Sequence, residues 1–166
     1  MMTTDMYRGH HTYGMQFYFA TVQGVSTDGD VFGISIQEGI GRGYSGTDRA
    51  TEDTITIDGK VYKLDRSTFE FTTNGDDRPT FDFNLKGSDI FDKEIKTITE
   101  GKVFPDNSCE LTFRQDAAFA DGLNLVILAH RREYQLGKYD VKCRVGNKWV
   151  EAKNARGFFE LVWSRN

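Results

Sequence analysis

The feature that most constrains this chain is a two-residue alternation of large apolar with small or polar side chains, repeated between short turn signals. In VFGISIQ, Phe32, Ile34 and Ile36 fall on one side and Gly33, Ser35 and Gln37 on the other. A period of two belongs to an extended strand, whose successive Cβ atoms point to opposite faces; a helix cannot gather such residues on one side. YGMQFYFATV repeats it, with large residues at Tyr13, Met15, Phe17 and Phe19. So do CELTFRQ, with Cys109, Leu111 and Phe113, and KYDVKCRV, with Tyr139, Val141, Cys143 and Val145. In GFFELVWS, Phe158, Glu160 and Val162 alternate with Phe159, Leu161 and Trp163.

Turn chemistry punctuates these runs. TDGD joins the first two, and Asp58-Gly59, inside DTITIDGKVYKLD, is the strongest short-range hairpin signal in the chain. STFEFTT and TFDFNL alternate on either side of the loop-like NGDDRP, and GNKWVEA adds a short strand. IFDKEIKTIT fits a strand, with a helix as its alternative, and LNLVILAHRRE is apolar on both faces, as a strand covered on both sides is. The one helix-like turn is DAAFADG. Thirteen Phe, seven Tyr and seventeen Gly against two Pro suit many strands joined by tight turns.

The expectation is therefore an all-β, antiparallel fold of about ten to twelve strands with little helix. A chain of 166 residues suits one domain, with residues 1–12 a lead-in and residues 13–166 the β-barrel. Many antiparallel strands close into a sandwich or a barrel, and strands that are amphipathic rather than polar on their second face favour the barrel. About eight strands suffice to enclose a small ligand.

Charge and targeting signals narrow the partners. The formal charge of -4 is spread along the chain, with no basic stripe to neutralise a phosphate backbone, so nucleic acid is not expected. MMTTDMYRGHHTYG lacks the apolar centre of a secretory signal, and no run is long and apolar enough for a membrane-spanning helix. The expectation is a soluble, cytoplasmic protein, with Cys109 and Cys143 as free core thiols and a bridge between neighbouring strands as the alternative.

Several motifs invite functional readings. Gly41–Gly46, GRGYSG, has the spacing of a dinucleotide loop, but it runs into TITIDGKVY with no room for the helix that would hold a pyrophosphate. His10 and His11 are adjacent and point apart on an extended chain, so they do not share a metal with the distant His130. No metal and no cofactor is expected; His11 is a candidate for a pocket rim. No serine sits in a nucleophile elbow, and neither cysteine has an activating basic neighbour. Two places resist a purely structural reading. After LVILA the chain turns polar, with His130, Arg132 and Tyr134 on one face, able to hold a ligand's head group at the end of an apolar cavity. Glu160, in an apolar strand, must be exposed, paired with Arg132, Arg144 or Arg156, or held neutral.

DGDVFGISIQEG, ATEDTITIDGKVYKLDRSTFEF, CELTFRQ, REYQLGKYDVKCRV and GFFELVW follow one another in a distinctive order. Its characteristic pieces are the hairpin Asp28–Ile36, Glu52 with Asp58-Gly59-Lys60, the segment Gln135–Tyr139, and Gly157, Glu160 and Trp163. Over residues 13–164 this order resembles the C-terminal half of a domain-of-unknown-function family related to the lipocalin-like AttH and carotenoid 1,2-hydratase proteins. The resemblance implies a calycin-type barrel handling hydrophobic small molecules. It also implies a two-barrel arrangement of which this chain supplies one half, and hence a homodimer that covers the exposed face.

Three functions follow, in this order. The first is a barrel binding an apolar or amphipathic small molecule, with His11, Phe17, Phe19, His130, Arg132, Tyr134 and Glu160 as its lining. The second is a protein-interaction module with a filled barrel. The third is a hydratase- or cyclase-type enzyme, with Glu160 or Glu52 as the acid.

Overall fold

The computed structural model describes residues 15–38, 53–65, 67–71, 94–99, 104–124 and 129–165. In them the alternation becomes nine strands: β1 (Met15–Val25), β2 (Val31–Glu38), β3 (Thr54–Ile57), β4 (Lys60–Lys63), β5 (Ser67–Phe71), β6 (Glu94–Thr99), β7 (Asn107–Asn124), β8 (Ala129–Val145) and β9 (Lys148–Arg165). All neighbours are antiparallel, in the order β4-β3-β2-β1-β9-β8-β7-β6-β5. The Asp58-Gly59 signal forms its hairpin: both residues take positive φ, 48° and 83°, the twist that matches two flanking strands.

The sheet curls. Phe69 of terminal β5 lies 5.9 Å from Tyr18 of β1 and 5.4 Å from Phe159 of β9, ring centre to ring centre, so the far strand folds over the middle of the sheet. The concave face buries Tyr18, Ala20, Val22, Phe32, Ile34, Ile36, Leu111, Phe113, Tyr139 and Phe159, each 3% exposed or less. Each large side chain withdrawn from water contributes roughly 1.5–3 kcal/mol, which is what curls the sheet onto itself.

The described residues thus form an antiparallel curled half-barrel without helix, with nine strands against the ten to twelve expected of a closed barrel. The count falls because separate expectations merge. CELTFRQ and DAAFADG are one eighteen-residue strand, β7, and GNKWVEA and GFFELVWS are another, β9. DAAFADG is therefore strand and not helical turn: Ala117, Ala118 and Phe119 pair with Leu136, Gln135 and Tyr134, and cross-strand pairing overrides the local helix preference of alanine. LNLVILAHRRE is divided instead, its start ending β7 and AHRRE opening β8, with Asn124 opposite Ala129. TFDFNL, the Gly41–Gly46 loop, His10, His11 and Glu52 lie outside the described residues.

Two irregularities let such long strands bend. One falls between Gln115 and Ala117 on β7, the other between Tyr139 and Val141 on β8, where Asn154 of β9 takes a φ of 56°. Asp140 secures the second: Oδ1 accepts from Arg114 Nη2 at 2.7 Å and Asn154 N–H at 3.2 Å, and Oδ2 accepts from Lys153 Nζ at 3.0 Å. Burial acts to raise this carboxyl, and the three donors outweigh it, bringing it down to about 2.

Cys109 and Cys143 are register partners on β7 and β8, Cα to Cα 4.1 Å apart, and they form a disulfide. The expectation of free thiols is corrected. Both sit in apolar alternation, but only the pairing of β7 with β8 puts residues 34 apart in sequence opposite one another.

Candidate functional site

The interior is built around two glycines. Gly137 and Gly157 are register partners at the centre of the long strands. A Cβ at Gly137 would run into the Arg114 carbonyl oxygen and come within 2.6 Å of the Phe113 ring; one at Gly157 would run into the Thr21 carbonyl oxygen and come within 2.7 Å of the Tyr139 ring. The missing side chains let two rings lie against the backbone. Phe113 and Tyr139 meet at 4.9 Å, Phe113 and Phe159 at 6.3 Å, and Phe159 and Tyr18 at 6.1 Å, so with Phe69 the rings form one continuous layer. Tyr139 donates its hydroxyl to the Phe158 carbonyl at 3.0 Å, and burial holds the phenol well above its ordinary pKa, so it stays neutral.

Beyond this layer β1, β7, β8 and β9 continue together. Following the register from Phe159, positions of the same parity pair as Ala20–Phe159–Gln135–Ala118, then Tyr18–Leu161–Glu133–Ala120, then Gln16–Trp163–Arg131–Gly122. The other parity gives Phe19–Glu160–Tyr134–Phe119, Phe17–Val162–Arg132–Asp121 and Met15–Ser164–His130–Leu123.

The residues singled out from sequence are therefore brought together. Phe17, Phe19, His130, Arg132, Tyr134 and Glu160 occupy three consecutive rows of β1, β9 and β8. Their rows, however, have the parity of Phe158 and Leu136, opposite to that of buried Ala20 and Phe159. Phe19 and Phe158 are half-buried with rings 5.7 Å apart, and Leu136 is 47% exposed. Glu160 is buried. Two of the cations considered for it are engaged elsewhere: Arg144 donates to the Pro105 carbonyl at 2.9 Å, and Arg156 lies 3.7 Å from Asp116. Among the described residues no three His, Cys, Asp or Glu side chains are grouped to hold a metal.

Arg131, Glu133, Gln135, Leu161 and Trp163, which the sequence did not single out as pocket residues, hold the positions in register with the concave face. The alternation separated these from their neighbours, but it did not say which set faced the core. The signal that could have decided it was Gly137 and Gly157, since a glycine between aromatic residues in paired strands marks where a ring crosses the backbone.

Asp53 was missed as well. It stands at the start of β3, 1% exposed. Its Oδ1 accepts the Gln37 N–H at 2.8 Å and its Oδ2 the Ser67 N–H at 2.9 Å, while its own carbonyl accepts the Leu64 N–H at 2.9 Å. Burial pushes the carboxyl up to about 7, against the pull of the Gln37 N–H, of Ser67 and of Lys63.

The family model described as Domain of unknown function (DUF2804) matches residues 1–165 of the chain. No curated protein and no solved structure matches it.

Proposed function

We propose, for a chain that belongs to the DUF2804 family, a binding role: a lipocalin-like barrel that holds an apolar or amphipathic small molecule above its aromatic layer. One observation carries this reading. On β7 the concave-face positions change from Cys109, Leu111 and Phe113 below the irregularity to Ala118, Ala120 and Gly122 above it. Small residue types hold the β7 positions paired with Gln135, Glu133 and Arg131, and apolar space with a few polar groups is what a small-molecule site requires. In this proposal the ligand lies at the rows of Leu161–Glu133 and Trp163–Arg131, beyond the filled layer that ends at Phe159 and Tyr18. A kinship with AttH and carotenoid 1,2-hydratase proteins, and a homodimer covering the Phe158–Leu136 face, belong to the same proposal. An acid role for Glu160 does not, because its row has the opposite parity.

A second reading, an interaction module with a filled barrel, is favoured by the lower interior, where Tyr18, Phe69, Phe113, Tyr139 and Phe159 are each 3% exposed or less. Native mass spectrometry of freshly purified protein separates the two. The binding reading expects extra mass that disappears on solvent extraction. It also expects Arg131→Gln and Trp163→Leu to weaken binding of a fluorescent fatty acid at least tenfold while Arg132→Gln leaves it unchanged. Bare subunits together with no probe binding would favour the interaction module.

A further inference from the structure

Five strands separate β2 from β5 in the hydrogen-bonded order, yet one side chain joins them. The Asp53 carboxyl takes an N–H from Gln37 of β2 on one oxygen and an N–H from Ser67 of β5 on the other. We propose that Asp53 is a proton-operated latch on this seam: with a neutral carboxyl the curled sheet is held shut between β2 and β5, and with an ionised one it opens there.

The geometry gives the buried carboxyl two backbone donors. Each N–H belongs to a different strand, so one carboxyl cannot keep both hydrogen bonds once the strands separate. Ser67 also brings a buried hydroxyl beside the carboxyl, so a neutral Asp53 has an acceptor for its proton on a residue it already holds. The charged groups around the latch are few. Lys63, at the end of β4, is exposed and favours the ionised form; Asp65, in the link to β5, accepts the Phe104 N–H on its Oδ2 at 3.1 Å. From β2 and β5 the contacts are with uncharged Gln37 and Ser67, and Arg66 lies outside the described residues.

In the closed seam the carboxyl is raised to about 7, whereas in an opened, hydrated seam it returns to the ordinary 3.8. The closed form therefore binds more protons between those two values. Its advantage is complete below pH 3.8, declines as pH rises, and is lost above about 7. Opening is expected to increase about fiftyfold from pH 5 to pH 7 and only about twofold more from pH 7 to pH 8.

Amide hydrogen exchange on the intact chain tests this, with intrinsic exchange rates divided out so that only the opening equilibrium remains. The expected result is a rise of that size at the Gln37 and Ser67 amides, with the Leu111 and Val141 amides of β7 and β8 unchanged. Asp53→Asn cannot ionise, and its opening equilibrium should be flat over the same range. A wild-type profile that is flat at Gln37 and Ser67 overturns the latch, and so does an equal rise at Leu111 and Val141, which would mean global unfolding. The wild-type profile decides the matter even if the variant does not fold.

Discussion

Gly157→Ala should destabilise this protein even though the residue lies in a strand, where alanine normally costs less than glycine. The added Cβ would collide with the Thr21 carbonyl oxygen on β1 and sit 2.7 to 2.8 Å from two ring carbons of Tyr139. Neither obstacle moves cheaply. The carbonyl belongs to the backbone of a paired strand, and Tyr139 is 1% exposed with its hydroxyl tied to Phe158. Overpacking of this kind costs about 3 kcal/mol, and the lower entropy of the unfolded alanine chain returns about 0.5–1 kcal/mol. The net loss is therefore about 2 kcal/mol. For 166 residues at about 2.1 cal/mol/K each, the unfolding entropy is about 0.35 kcal/mol/K, so the midpoint should fall by about 6 °C. Gly33→Ala supplies the control, since its Cβ would meet nothing within 4 Å and its strand needs no unusual φ. Urea denaturation should show a lower midpoint at unchanged slope for Gly157→Ala and no loss for Gly33→Ala. If Gly157→Ala is as stable as the wild type, the close packing of β1, β8 and β9 around that glycine is wrong.

Two further expectations concern covalent and ionic ties. The Cys109–Cys143 bridge closes a loop across a separation of 34 residues, which corresponds to about 4 kcal/mol of loop-closure entropy in the unfolded chain. Thiol titration in denaturant should find no free thiol before reduction and two after it, and Cys143→Ala should lower the urea midpoint; two titratable thiols in unreduced protein would refute the bridge. Asp140 is held down to about 2 by Arg114, Lys153 and the Asn154 N–H once the opposing effect of burial is overcome, so its contribution is present above pH 3.8 and is lost as pH falls toward 2. Asp140→Asn should cost about 1 kcal/mol at pH 7, solvent screening allowed for, and the two proteins should converge near pH 2; a difference independent of pH would show that charge is not the cause.

Much of this fold was legible because its signals are local. The alternation of Phe32, Ile34 and Ile36 and the Asp58-Gly59 turn each depend on neighbours in sequence, and β2 and the β3–β4 hairpin follow from them directly. Strand count was less legible because DAAFADG is read by the chain from its partner: Ala118 and Ala120 become strand only by pairing with Gln135 and Glu133, which are more than a dozen residues away. The disulfide was ambiguous for the same reason.

The candidate site turned on a different question, that of which side of an alternating strand is the inside. β1 and β9 carry large residues at both parities, Phe17 and Phe19 beside Tyr18, Phe158 beside Phe159, so hydrophobicity alone does not choose. The choice is made by close approach. Tyr139 can lie over β9 only where Gly157 offers no Cβ, and Phe113 over β8 only at Gly137. Once those rings are placed, Gly157 and hence Phe159, Leu161 and Trp163 share the concave parity, and so do Gly137, Gln135, Glu133 and Arg131. Glu160 and Arg132 then fall on the opposite rows, where Leu136 meets solvent. Two residues without side chains thus decide the parity of the rows that form the candidate site, and because the decision depends on rings from neighbouring strands, no window along the chain contains it.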